Sequence, residues 1–253
     1  MAAYLPDTNV LIDFGRDGAV SAKLENAQNN GSAFLIAPPA LIELVRGMIA
    51  GGRNTFQNDK KVFVWLQAHG CQVLELPRPF MAKILHTSTR TSGVVPLHYQ
   101  QLVEMVANSA DFDEFLRRTQ AAGSVWRDIS QLYEIHERQL EKELIALESI
   151  AARGGNLDLA KGLSHMFGMP GCRPNHLVLQ RRFSAAIEYL ESSVTKIRGG
   201  AKPRKNDRGL YVDFQMLLYL GRPDLSFLTK ENFAAEIRMS PQKARIVRLE
   251  AVP

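Results

Sequence analysis

Four acidic residues occupy positions where acids are not expected. Asp7 interrupts the apolar run YLPDTNVLIDF, from Tyr4 to Phe14. Glu43 lies in PPALIELVRG, directly after the apolar segment AFLIA. Asp213 falls inside GLYVDFQMLLYLG, and Glu231 follows an apolar segment in SFLTKENF. A carboxylate in an apolar run costs free energy unless a cation or opposite charge compensates it. Taken singly, each acid reads better as a helix cap or a surface charge. Taken together, all four can meet at one point. Four carboxylates so gathered repel one another without a cation. A hard divalent ion resolves the repulsion, and an all-oxygen donor set selects magnesium or manganese. Phosphate chemistry is the natural use of such an ion, which binds phosphate oxygens and activates water.

Two other acids read differently. Asp207 precedes a helical segment as an N-cap does, and its offset from Asp213 turns it to another helix face. Asp13 reads as solvent-facing, or as a support for the four. Competing chemistries lack their motifs. The chain has no HExxH, no short His-x-His pair, no GxGxxG, no GxxxxGK[ST] and no GxSxG. The phosphatase pattern Asp-x-Asp-x-Thr fails because Asn9 stands at its second acid.

The elements that would position the acids follow from pattern. Five short segments rich in Val, Ile, Leu or Phe read as strands: Ala3–Pro6, Ala33–Ala37, Cys71–Leu76, Ser226–Thr229 and Ala244–Leu249. Helical patterns separate them, and Pro38-Pro39 suits the first turn of one. Strands alternating with helices predict an α/β fold, with a mostly parallel sheet covered by helices on both faces. In such a sheet ligands sit beyond the carboxyl ends of the strands. Asp7 ends the first strand, Glu43 lies in the helix after the second, and Glu231 follows the fourth. Asp213 interrupts the inward stripe Leu210, Phe214, Leu217 and Leu220 of its own helix.

From Ser92 to Lys205 the strand signal is absent. A long helix is predicted within Gly123–Gly155. A second spans Asn175–Gly199, where Leu179, Phe183, Ile187, Leu190, Val194 and Ile197 form an amphipathic stripe. Asn175 is its expected N-cap and Gly199-Gly200 its stop. This block reads as a helical insertion, either packed on the parent domain or paired across a homodimer. At its end TKIRGGAKPRKNDRG carries Lys196, Arg198, Lys202, Arg204, Lys205 and Arg208. The run leads into the helix of Asp213 and can track a phosphate backbone, or serve only as a solvated linker.

Composition sets the outer bounds. The chain has 253 residues, 45% hydrophobic and 23% charged, which suits one large globular domain. No apolar run is long enough to span a membrane, and MAAYLPD lacks the features of a secretory leader. Cys71 and Cys172 form neither a disulfide framework nor a zinc motif, which fits a reducing cytoplasm. The formal net charge of +5 is compatible with a nucleic-acid partner.

The segments DTNVLID, PPALIELVRG, VDFQMLLYLG and FLTKENF, in this order, resemble the four acidic motifs of PIN-domain ribonucleases. The resemblance covers Met1 to Ser92 and Lys205 to Pro253. It implies a PIN-like α/β/α sandwich over residues 1–253, with a helical insertion at 93–204. It implies a metal-dependent endoribonuclease in which Asp7, Glu43, Asp213 and Glu231 hold Mg²⁺ or Mn²⁺. A metal-activated water would then cleave RNA to leave a 5′-phosphate and a 3′-hydroxyl. Thr8 and Asn9 would orient Asp7 or contact the phosphate, and Lys202, Arg204 and Lys205 would recruit the substrate. Glu231 stands where the family usually has aspartate. Small toxins of the family pair with an antitoxin protein and lack such an insertion. Toxin, RNA-maturation and defence roles are all open, as are a nuclease acting on DNA and a non-cleaving scaffold that binds RNA or protein.

Overall fold

A computed structural model describes residues 2–85, 96–152, 159, 162, 176–200, 208–233 and 236–252. Its sheet has five parallel strands: β1 (Ala3–Pro6), β2 (Ala33–Ile36), β3 (Gln72–Val73), β4 (Leu225–Thr229) and β5 (Ile246–Arg248). They lie in the order β3-β2-β1-β4-β5. Each strand falls within or one residue beyond its predicted segment. β3 is the shortest, although Leu74 still donates its N–H to the Ile36 carbonyl at 2.9 Å before Pro77 begins the next helix. Apart from their first or second residues, β1, β2 and β4 are buried along their lengths. Side chains of a strand alternate between faces, so both faces of the central sheet are covered. β5 is half exposed, as an edge strand should be.

The helices are α1 (Thr8–Arg16), α2 (Gly18–Asn29), α3 (Pro38–Ala68), α4 (Pro77–Ile84), α5 (Pro96–Ala107), α6 (Phe112–Gln120), α7 (Val125–Ala152), α8 (His176–Arg182), α9 (Ser184–Arg198) and α10 (Arg208–Leu218). None among the described residues is long and apolar enough to cross a membrane. As expected, Pro38 and Pro39 open α3, where missing N–H groups cost nothing. α3 is broken at Gly52, whose φ of 71° is left-handed and suits glycine alone.

Between residues 96 and 200 the only regular elements among the described residues are helices, and they pack on one another and on α3 and α10. α5 lies on α3, α7 on α5, and α9 on both α7 and α10. The long helix near Gly123–Gly155 is α7. The predicted Asn175–Gly199 helix is instead two, α8 and α9, broken at Phe183. The cause is Gln242. Its amide oxygen takes the Ala185 N–H at 2.9 Å, and its amide nitrogen donates to the Arg182 carbonyl at 2.5 Å, so these two backbone groups are engaged by a side chain at the break. The stripe from Leu179 to Val194 is buried as predicted, and Gly200 ends the run at φ 94°. Asn175 lies outside the described residues.

The stripe assigned to the helix of Asp213 is also wider than expected. Every residue from Phe214 to Leu220 is buried, so this segment has no solvent face. It is held between the sheet side and the helical block, and a one-sided stripe is what a surface helix shows. Asp213 stays half-buried at the start of that buried stretch.

α1 packs against α3, and glycine sets their approach. A Cβ on Gly15 would stand 2.5 Å from the Asn58 carbonyl oxygen. Backbone cannot yield as a side-chain tip does. Beside this seam Arg16 meets the buried Asp59 at 3.4 Å, and the Lys61 ammonium donates to the Gly15 carbonyl at 3.2 Å. Gly15→Ala should therefore lower stability by about 1–3 kcal/mol through overpacking. Urea unfolding should show an earlier midpoint with an unchanged slope, and an unmoved midpoint would mean that the seam is looser than described.

Candidate active site

β1 lies at the centre of the sheet, and the chain order reverses between β1 and β4. At such a switch point the loops leaving adjacent strands diverge and leave a crevice at the carboxyl ends. Pro6 pairs with Leu228 at the end of the ladder, and the Asp7 N–H donates to the Leu228 carbonyl at 2.9 Å. Asp7 and Thr229 thus lie side by side at the ends of neighbouring strands, with Glu231 two residues further on.

Asp7 is only 6% exposed. One oxygen, Oδ1, accepts the Val10 N–H at 2.7 Å, so Asp7 caps α1. The other, Oδ2, accepts the hydroxyl of the fully buried Thr229. The Thr229 hydroxyl oxygen also accepts the Glu231 N–H at 3.0 Å. Asp7 is therefore both a cap and a member of the acid group; the two readings are not exclusive.

The next two residues reach the other acids. The Thr8 hydroxyl donates to Oε2 of Glu43 at 2.5 Å, and the Asn9 amide donates to Oε1 of Glu231 at 2.8 Å. The first turn of α1 thus binds two acids from distant segments. Asp213 is approached by the Tyr189 hydroxyl at 3.5 Å, at the limit of a hydrogen bond.

The electrostatics join all four acids. Burial pushes the Asp7 carboxyl up to about 6; the Thr229 and Val10 bonds oppose this, and Glu231 adds repulsion. Burial pushes Asp213 up to about 7, and repulsion from Glu231, Asp7 and Glu43 acts in the same direction. Glu43 is raised by burial against the Thr8 bond, with further repulsion from Glu137 and Asp7 and relief from Arg46. The four share one neighbourhood of negative charge. They do not form a closed cage, because among the described residues no three His, Cys, Asp or Glu side chains are close enough to hold a metal together.

Several contributors were not legible in sequence. Thr229 reads in sequence only as the last residue of a strand. Arg46, one turn after Glu43 on α3, donates to Glu137 of α7 at 2.8 Å and lies over the Tyr133 ring. The Tyr133 hydroxyl in turn accepts from Gln215 at 3.3 Å. A hydroxyl at a strand end, two residues before an acid, is the local signal for Thr229. The α3–α7–α10 contacts are long-range and have none. Asp13 is half-buried and accepts from the Lys230 ammonium, so it pairs with the loop after β4 rather than joining the acids. Lys202, Arg204, Lys205 and Asp207 lie outside the described residues. Of the remaining basic run, Lys196 pairs with Glu236 at 2.9 Å.

No family model, curated protein or solved structure matches the chain.

The raised acids make stability depend on pH with a definite sign. A carboxyl whose folded pKa exceeds its unfolded value binds protons more tightly in the folded state. Its burden is absent below the unfolded value and grows as pH rises towards the folded one. For Asp7 and Asp213 that window runs from 3.8 to about 6 and about 7. In chelator, Asp213→Asn should melt higher than wild type at pH 8, by on the order of 5 °C, by less at pH 5, and no higher below the unfolded value of 3.8. Melting curves across this range test it; a constant offset at every pH would mean that Asp213 is raised neither by burial nor by its acidic neighbours.

Proposed function

We propose that this chain is a divalent-cation-dependent nuclease of the PIN type that hydrolyses RNA phosphodiesters. The observation that carries the reading is the switch point between β1 and β4, where Asp7 and Glu231 follow adjacent strand ends and are electrostatically coupled to Asp213. The all-parallel order β3-β2-β1-β4-β5, buried on both faces at its centre, supports a PIN-like α/β/α sandwich. The helical segment 93–204 is then an insertion whose helices wall the site.

The donor set fits a hard cation. All four groups offer carboxylate oxygens, and the charges that act most on Asp213 are all negative. Asp7, Glu43, Asp213 and Glu231 would hold Mg²⁺ or Mn²⁺ once drawn closer together than they stand here. When bound, the ion supplies charge neutralisation, Lewis-acid polarisation and water activation. The protein's own part is positional. Thr229 and the α1 N-terminus fix Asp7, Thr8 steers Glu43, and Asn9 steers Glu231. Fixed side chains hold a scissile phosphate in line with its nucleophile, a geometric contribution of several kcal/mol in enzymes. Without a cation the same carboxylates repel a polyanion, so cation binding and RNA binding should be coupled.

A second reading has its own observation. The acids already accept hydrogen bonds from their own chain, and no three are gathered tightly. This favours a scaffold that binds RNA or a protein without cutting. DNA cleavage, an antitoxin partner and pairing of two copies are further readings for which no contact is described.

Cleavage of RNA and of single-stranded DNA, with manganese, magnesium or chelator, separates these readings. Wild type should cut RNA only with a divalent ion. Asp7→Asn, which keeps the shape of the cap, should lose at least a hundredfold in rate. Activity that survives chelation, or an Asp7→Asn enzyme as fast as wild type, would refute the metal assignment. RNA binding without cleavage would favour the scaffold, and cutting confined to DNA would change the substrate.

Lys202, Arg204 and Lys205 are proposed to recruit RNA from the segment that leads into α10. Their joint replacement by Ala should reduce the slope of log K against log salt by about two to three units. An unchanged slope in filter-binding titrations would make the run a linker.

A further inference from the structure

A second cleft lies at the opposite end of the sheet. It occupies about 660 Å³ and is open to solvent. Arg181 and Arg182 of α8 and Arg245 before β5 line it, together with Val178, Pro223 and Pro241. Gly221 and Pro223 precede β4 and Arg245 precedes β5, so the cleft sits at the amino ends of these strands. The candidate active site lies beyond the carboxyl end of β4, about 13 Å away along the strand.

The three guanidiniums are unequal. Arg245 is anchored: it donates to the carbonyls of Arg222 at 2.7 Å, Leu225 at 2.9 Å and Leu220 at 2.5 Å. These bonds fix the plane of its fork while leaving N–H groups over, since guanidinium carries five. Arg181 and Arg182 are exposed and have no ion-pair partner among the described residues. Gln242 locks the break that follows them, so the backbone that presents them is held. The lining contains no carboxylate; the nearby Asp224 is engaged with Arg222 at 2.8 Å. Arginine forks match phosphate oxygens bidentately, so three around one cavity suit an anion with several phosphate groups. The apolar wall of Val178, Pro223 and Pro241 provides a surface for a flat ring beside them.

We infer that this cleft binds an oligophosphate group, either free or carried by a nucleotide. The inference stands apart from the proposed nuclease reading, because it uses none of the four acids and sits at the other end of the sheet.

Calorimetric titration of the full chain in chelator, with pyrophosphate, AMP and ATP in turn, tests it. Pyrophosphate and ATP should bind saturably and more weakly as salt rises, with AMP at least tenfold weaker than ATP. Equal affinity for pyrophosphate and ATP would assign recognition to the phosphates alone, and tighter ATP binding would add the nucleoside. The double variant Arg181→Ala/Arg182→Ala should lose at least tenfold for both ligands. Arg53→Ala removes an exposed arginine paired to Asp113 elsewhere and should change nothing. Retained cooperative melting shows that the double variant is folded, and the single variants serve if it is not. Absence of saturable binding, equal binding by the double variant, an equal loss in Arg53→Ala, or binding of oligoribonucleotide alone would overturn the inference.

Discussion

A nearly dry carboxylate must sit where the first strand becomes the first helix, and much of the local architecture follows from that need. Asp7 is satisfied by a helix N-terminus on one oxygen and by the Thr229 hydroxyl on the other. Removing either donor leaves a buried anion short of a partner, which is costlier than the bond's net contribution. The helix must therefore start at Thr8, and β4 must end beside β1 in the register Pro6 to Leu228. Once both are fixed, Thr8 and Asn9 can only lie where they meet Glu43 and Glu231. A single position thus joins the ends of β1 and β4, the loop after β4 and the start of α3.

The helices behind the site add negative charge rather than cancel it. Arg46 is the cation that relieves Glu43, yet its hydrogen bond goes to Glu137 and its face to Tyr133. Glu137 itself repels Glu43. α7 therefore brings one acid and takes the attention of the nearest base. A structure that merely needed to carry Asp7, Glu43 and Asp213 away from water would pair them with its own lysines or arginines. Here the repulsion is left standing at Asp213, half-buried at the start of a segment otherwise packed on all sides. An arrangement of this kind is destabilising by itself, which is how perturbed carboxyls mark sites as well as structural strain.

Legibility followed the range of the interactions. The strands could be read because short runs such as AFLI and SFLT are buried on both faces, and continuous apolar runs signal that directly. The four acids stood out because each breaks a local pattern, and the coupling of Asp213 to the other three is what the structure adds. What failed was long-range. The break at Phe183 comes from Gln242, far along the chain, and the stripe Leu179 to Val194 is the same with or without it. The all-round burial of Phe214 to Leu220 reflects α7 and α9 packed against this stretch, whereas its periodicity suggested one dry face. Thr229 resembles any β-branched strand residue until Asp7 is placed beside it.

A parallel sheet gives the molecule two chemically different ends, and this chain segregates its charge along that polarity. The carboxyl ends of β1 and β4 carry unneutralised acids, while the amino ends of β4 and β5 carry arginines. The length of β4, about 13 Å, separates the two ends. Each end therefore has to find its compensating ion separately. For the acids that is a cation small and hard enough to enter among oxygen donors. For the arginines it is an anion broad enough to meet several forks. A polyanion that engages the acid end must come with its cation, since otherwise the field there opposes it, whereas the arginine end attracts phosphate unaided. The difference follows from which strand ends carry which residues, and so from the same topology that brought Asp7 beside Thr229.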